Sequence, residues 1–186
     1  LQILEDGRLT DGRGETVYFS ESVIIFTSNL GIFVTDKSGE RMQNVSPEDP
    51  YEVVEGRVRG AILDYFKYQL SRPEILNRIG DNIVVFNFIQ PDVAIQIFDG
   101  QLRNVLRRVS EEHGISLAIP DLVMEKLREW CCTDLSNGGR GIGNRIETTF
   151  INPLSRALFE SRLDRGMALT VADVVLRDGL YTLVLD

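Results

Sequence analysis

Ser22-Val23-Ile24-Ile25-Phe26-Thr27-Ser28-Asn29 is a short, continuous run of apolar and β-branched residues that closes on three polar ones. A run without polar alternation predicts a strand buried on both faces, the kind found in α/β sheets. In open α/β sheets ligands lie at the carboxyl ends of the strands, so Thr27-Ser28-Asn29 is where chemistry is expected. Asn29 has an amide able to position a water or a phosphate oxygen. Equally, an Asn ahead of Leu30-Gly31 can simply open the following turn.

Upstream, residues 1 to 4 read as the end of a helix. Glu5-Asp6-Gly7 and Thr10-Asp11-Gly12-Arg13-Gly14 are dense in turn residues and predict a loop or hairpin, with Thr16 to Phe19 extended. Downstream, Gly31 to Pro50 is rich in Gly, Ser, Asp, Glu and Pro without a recognisable period, so a mobile surface loop is expected. Val54, Val58, Ile62, Phe66 and Leu70 then recur every four residues, an amphipathic helix stopped by Ser71-Arg72-Pro73. Pro73-Glu74 opens a short helix that carries Arg78, which by itself could be an ordinary surface ion-pair residue.

Asn82 to Ile89 reads as a strand and Pro91-Asp92 as the start of a helix bearing Val93, Ile97, Leu102, Val105 and Val109, with Gly114 as its stop. Ile115 to Ile119 is strand-like and Asp121 to Cys132 helical. Ile142, Ile146, Phe150, Leu154 and Leu158 again recur every fourth position, around an expected kink at Pro153. Ala168 to Leu176 and Leu180 to Leu185 predict a hairpin about Arg177-Asp178-Gly179. The fold class is α/β, with a boundary near Asn82: a strand, loop and helix unit over 1–81, then a smaller unit of helices and short strands over 82–186.

The chain has 186 residues, 43% hydrophobic and 26% charged, enough for one sizeable core or two small ones. A net charge of −8 argues against a nucleic-acid surface and leaves proteins or small anions as default partners. Cys131 and Cys132 are adjacent, which suits neither an ordinary disulfide between them nor a zinc site, and a reducing compartment fits best. No apolar stretch is long enough to cross a bilayer, and the start has neither a methionine nor a signal pattern, so a piece of a longer protein is expected.

Three motifs invite chemistry and fail. Gly138-Gly139-Arg140-Gly141-Ile142-Gly143 is followed by Asn144-Arg145, where a phosphate-binding loop needs Lys and Ser or Thr, and it follows a helix instead of a strand. Its glycines are expected to shape a helix start. His113 sits at a helix end, where a cation complements the carbonyl dipole, and no partner lies near it in sequence. Cys131 and Cys132 stand beside Trp130 on an apolar helix face and read as packing.

Leu1 to Gly14 (Leu-Gln-Ile-Leu-Glu-Asp-Gly-Arg-Leu-Thr-Asp-Gly-Arg-Gly), Thr27-Ser28-Asn29-Leu30-Gly31, Arg72 to Ile79 (Arg-Pro-Glu-Ile-Leu-Asn-Arg-Ile), Asn137-Gly138-Gly139-Arg140-Gly141 and Ile151-Asn152-Pro153-Leu154 follow one another in an order and spacing that resemble the second ATPase module of ClpB-like proteins, Clp-type AAA+ ATPases. The resemblance covers nearly the whole chain. It implies that residues 1–81 are the C-terminal part of the large nucleotide-binding subdomain and 82–186 the small lid subdomain. It further implies that Asn29 is sensor one, Arg78 the finger that reaches a neighbouring subunit's nucleotide, and Arg140 the nucleotide-binding sensor two. Such residue types suit phosphoryl transfer, which is catalysed by positioning and charge stabilisation: an amide orients the attacking water and guanidinium groups meet the phosphate oxygens.

From the same resemblance follow ATP as cofactor, with magnesium in the complete protein and no metal ligands in this chain. A homo-oligomeric ring, expected to be a hexamer, is also implied, along with unfolded or aggregated protein substrates, no nucleic acid, no membrane and a cytoplasmic location. Gly80 stands where the family commonly has Asp, and Gly141 where it commonly has Pro. Neither a Gly-x-x-x-x-Gly-Lys-Ser/Thr loop nor an apolar strand ending Asp-Glu is present, so this chain by itself is expected to hydrolyse nothing. The main expectation is part of an ATP-dependent unfoldase or disaggregase. The alternatives are the ATPase subunit of a Clp-type protease and a non-enzymatic assembly or adaptor module.

Overall fold

The computed structural model describes residues 2–36, 38–160 and 166–186. The chain divides into two units, Leu1–Asn87 and Phe88–Asp186.

The first unit opens with helix α1 (Gln2–Asp6) and a hairpin of β1 (Arg8–Thr10) and β2 (Thr16–Tyr18), as the turn residues predict. A second hairpin, β3 (Phe33–Thr35) and β4 (Arg41–Gln43), stands where a mobile loop was expected. The two tips are built alike: Asp11 Oδ1 accepts the N–H groups of Arg13 and Glu15, both at 2.9 Å, and Asp36 Oδ1 accepts those of Ser38 and Glu40, both at 2.8 Å. Strands of three residues are too short for an alternating pattern to show, so a polar turn device carries the second hairpin. Its base is clamped to α2 (Tyr51–Asp64). Asn44 Nδ2 donates to the carbonyls of Gly31 at 2.8 Å and Arg57 at 3.3 Å, and Val45 is buried beneath. Beyond α2 the helix continues as a π turn (Tyr65–Gln69), and α3 (Pro73–Ile79) follows.

The two strands predicted in 22–29 and 82–89 do not form. Neither stretch takes up regular structure, and Val23 is 89% and Ile25 79% exposed in the first, and Phe86 86% in the second. A strand exists through its neighbours' hydrogen bonds, and among the described residues none pairs with 22–29. Residues 83 and 85 are held to α2 instead: Arg59 Nη2 donates to the Ile83 carbonyl at 2.6 Å and the Tyr51 hydroxyl to that of Val85 at 3.1 Å.

In the second unit α4 (Pro91–His113) starts on proline and closes at Gly114, whose N–H donates to Ser110 at 3.0 Å. Then come β5 (Ser116–Ala118), α5 (Asp121–Cys132), α6 (Gly138–Ile146), a π turn (Glu147–Ile151), α7 (Asn152–Glu160), β6 (Ala168–Arg177) and β7 (Leu180–Leu185). The sheet order is β5-β6-β7, with β5 parallel to β6 and β7 antiparallel to it across the Asp178-Gly179 turn. One core joins Phe98 and Leu102 of α4, Val123 and Leu127 of α5, Ile142 and Ile146 of α6, Phe150, Leu154, and Val171 and Val174 of β6.

The kink expected at Pro153 is a π turn directly ahead of it, closed by the Asn152 N–H on the Glu147 carbonyl. The widened turn takes up the crowding that a proline ring causes four residues upstream. It also explains a periodicity. In a regular helix a four-residue spacing overshoots each turn by about 40°, so five such positions wind well around the axis. A turn that spends an extra residue brings the stripe back, and Ile142, Ile146, Phe150 and Leu154 are all buried. The other four-residue stripe, Val54 to Leu70, contains the other π turn.

Candidate functional site

Arg78 lies in the last turn of α3, a helix started by Pro73 and closed by Gly80, whose N–H donates to the Leu76 carbonyl at 2.8 Å. Gly80 has φ +56, a conformation that favours glycine and accounts for this residue where Asp was the family's expected choice. The Arg78 side chain is 51% exposed, and its Nη2 lies 3.5 Å from Glu5 Oε1 on α1. Arg78 borders a cleft of about 560 Å³ with Thr27, Ser28, Ile79, Asn82 and apolar residues of the 22–29 and 82–89 stretches. An adjoining hollow of about 890 Å³, walled by Leu4, Phe19, Ile24, Phe26, Ile62 and Phe66, is overwhelmingly apolar and suited to packing.

Asn29 does not line the Arg78 cleft, although the two residues before it do. A turn does begin here, because the Asn29 carbonyl accepts the Ile32 N–H at 3.4 Å, but the Leu30 N–H is taken by the Ser28 hydroxyl at 3.0 Å. The Asn29 side chain is left exposed. Arg72, the other arginine of this segment, is paired with Glu74 at 3.2 Å. The Glu74 carboxyl is held below its usual range, first by its own backbone N–H in the first helical turn and then by Arg72.

Arg140 belongs to the second unit, in the first turn of α6, where unpaired amides and the helix dipole favour an anion. It is exposed and makes no ion pair among the described residues. Gly143 brings α6 close to α4: a Cβ there would stand 3.2 Å from Gln101 Oε1. The glycine run thus shapes a helix start, as its sequence context implies.

His113 ends α4, and among the described residues no group of three His, Cys, Asp or Glu side chains is placed to hold a metal. Burial pushes the Cys131 thiol up to about 11 and raises that of Cys132, the opposite of what a nucleophile needs. Among the described residues no helix is long and apolar enough to cross a membrane. Glu5, the partner of Arg78, is not among the residues that sequence reasoning named; nothing in the spacing of residues this far apart signals an ion pair.

An apolar run ending Thr27-Ser28-Asn29, a short helix with Arg78 in its last turn and a separate unit with Arg140 at a glycine-rich helix start follow one another in the order that the resemblance to an AAA+ module implies. Comparison agrees: residues 1–82 match the AAA domain (Cdc48 subfamily), and residues 89–171 match the C-terminal, D2-small domain of ClpB protein. The chain belongs to the Clp-type AAA+ family. It is 35% identical to the chaperone protein ClpB of Vibrio vulnificus over 85% of its length and 17% of the relative's. It is 33% identical to heat shock protein 100 of Trypanosoma brucei brucei over 92% of its length and 18% of the relative's. An ATP-dependent Clp protease ATP-binding subunit ClpA homolog of Guillardia theta is 42% identical over 64% of this chain and 14% of the relative. The chain therefore spans less than a fifth of the length of these relatives.

Proposed function

We propose that the chain is the sensor and finger part of an ATP-dependent, ring-forming protein unfoldase or disaggregase acting in the cytoplasm on unfolded or aggregated proteins. The observation that carries this reading is the half-exposed Arg78 guanidinium on the cleft edged by Thr27 and Ser28, in a chain of the Clp-type family. Residues 1–81 act as the end of the large subdomain and 82–186 as the lid.

An arginine and an amide fit a nucleotide's phosphates by charge and donor geometry. ATP supplies the phosphoanhydride bond that is broken. Asn29 orients the attacking water, Arg78 reaches outward to the phosphate oxygens at a neighbouring copy in a hexameric ring, and Arg140 binds nucleotide at the α6 start. Arginine suits this work because its planar fork stays charged and grips oxygens in pairs.

In the full-length protein Arg78→Ala is expected to lower ATP turnover by roughly a thousandfold or more while nucleotide binding is kept, as for trans-acting fingers in other hydrolases. Unchanged turnover removes Arg78 from the site. The relatives named as Clp protease subunits favour a second reading, an ATPase that feeds a peptidase. Against it, the β3–β4 tip is ordered by the Asp36 carboxylate, which accepts the Ser38 and Glu40 N–H groups; co-purification of a peptidase with the full-length protein would reverse this preference.

A further inference from the structure

We propose that Glu5 is a positioning residue for Arg78, anchored in that task by the β1–β2 hairpin. The inference rests on the reading of Arg78 as the group that reaches a neighbour's nucleotide.

Glu5 Oε1 stands 3.5 Å from Arg78 Nη2, and this is the ion pair that Arg78 makes among the described residues. Among the described residues Arg78 is also the single charged one lining its cleft, whose other walls are apolar or neutral. A long, half-exposed guanidinium without a carboxylate beside it would sample many rotamers, and fixing it in one direction costs entropy at the moment of reaction.

Helix α1 is only five residues long and has no buried residue, so its own helical propensity cannot hold Glu5 in place. The hairpin does so. The Gly7 N–H donates to the Ile3 carbonyl at 3.2 Å, closing α1, and the Gly7 carbonyl accepts the N–H of Phe19, just beyond β2. One residue therefore belongs to both the helix end and the hairpin base, and a shift of the hairpin carries Glu5 with it. Arg8, the first residue of β1, adds a contact to Asp6 at 3.9 Å.

The strength of the pair suits the role. A single-contact, exposed ion pair is weak and screened by salt, so it sets a resting direction and still yields to a phosphate, which offers arginine two parallel bonds.

The test compares Glu5→Gln, Glu5→Asp and Arg78→Ala in the full-length protein by steady-state ATP hydrolysis and thermal unfolding. Glu5→Gln is expected to lower kcat by roughly two- to fivefold, with KM and melting temperature unchanged, Glu5→Asp to recover most of the loss, and Glu5→Gln to add nothing to Arg78→Ala. If Glu5→Gln keeps normal kcat while Arg78→Ala loses turnover, the Glu5 role is overturned and the finger stands. If Arg78→Ala itself keeps turnover, the finger reading falls and this inference with it. A loss of thermal stability in Glu5→Gln that Glu5→Asp does not restore makes Glu5 a merely structural residue.

Discussion

The Cβ position of Gly31 lies 3.0 Å from the Val58 carbonyl oxygen and 3.1 Å from its Cα. The chain leaves the 22–29 stretch here and crosses the backbone of α2 with no room for a side chain. Both hairpin and helix depend on that approach, because Asn44 bonds to Gly31 and to Arg57 on either side of it.

Gly31→Ala should therefore destabilise the chain by about 2 kcal/mol or more, combining a left-handed φ of +92 with a clash against backbone that cannot swing aside. Urea unfolding of the two proteins measures it. The same change at Gly12, which has nothing near its Cβ position, is the control and is expected to be silent.

Arg128 grips Asp99 with Nε on Oδ1 and Nη2 on Oδ2, both at 3.0 Å, tying α5 to α4. Arg128→Lys keeps the charge but loses the fork, and a cost of about 1 kcal/mol is expected for this half-exposed pair. A thermal melt of the chain reads it, and a variant as stable as the parent would show that core packing alone holds these helices.

Cys131 is buried against the Thr149 hydroxyl at 3.4 Å, and burial pushes its thiol up to about 11, so at pH 8 it is neutral and shielded. Thiol labelling of the native chain should be slow at Cys131 and become complete on denaturation. Rapid labelling under native conditions would contradict the packing role.

Asp173 accepts from Lys126 Nζ at 2.9 Å, and that bond, then the Val174 N–H, holds its carboxyl below the usual 3.8. A depressed carboxylate stabilises the fold above its ordinary range and loses that contribution as pH falls through the folded value. Melting temperature followed from neutral pH down to about pH 2 should fall less steeply below about pH 4 in Asp173→Asn than in the parent. Parallel curves would show that the Lys126 contact carries no linkage.

The exposed stretches 22–29 and 82–86 should become protected from amide hydrogen exchange in the full-length protein relative to this chain alone, as strands gain neighbours. Equal exchange in both would mean that they remain unpaired.

The second unit was almost wholly legible. The runs from Pro91 to His113 and from Asp121 to Cys132 have clear helical periods and start and stop residues, and their helices bury their own apolar faces. The first unit was read less well because its signals depend on distant partners. Ile24 and Phe26 have strand composition, but composition cannot supply a neighbour's hydrogen bonds. The 31–50 stretch misled in the opposite direction, since Asp36 and Asn44 build order from side-chain bonds that hydrophobic periodicity does not register. Arg78 and Arg140 were named through motif resemblance alone; Glu5 was not named, because its partner lies in another motif.

The π turn at Glu147–Ile151 gives its helix something like a reading frame. Closing it with ordinary helical bonds at unchanged chain length would rotate everything after it by roughly 100°. Leu154 would leave the core, and Arg156 would lose the Tyr181 carbonyl to which it donates at 2.8 Å. Deleting one residue at this turn would instead remove the residue that the widening spends, and an ordinary helix would then carry Leu154 to the same buried face, so this turn is where the helix can shorten by one residue and keep its frame.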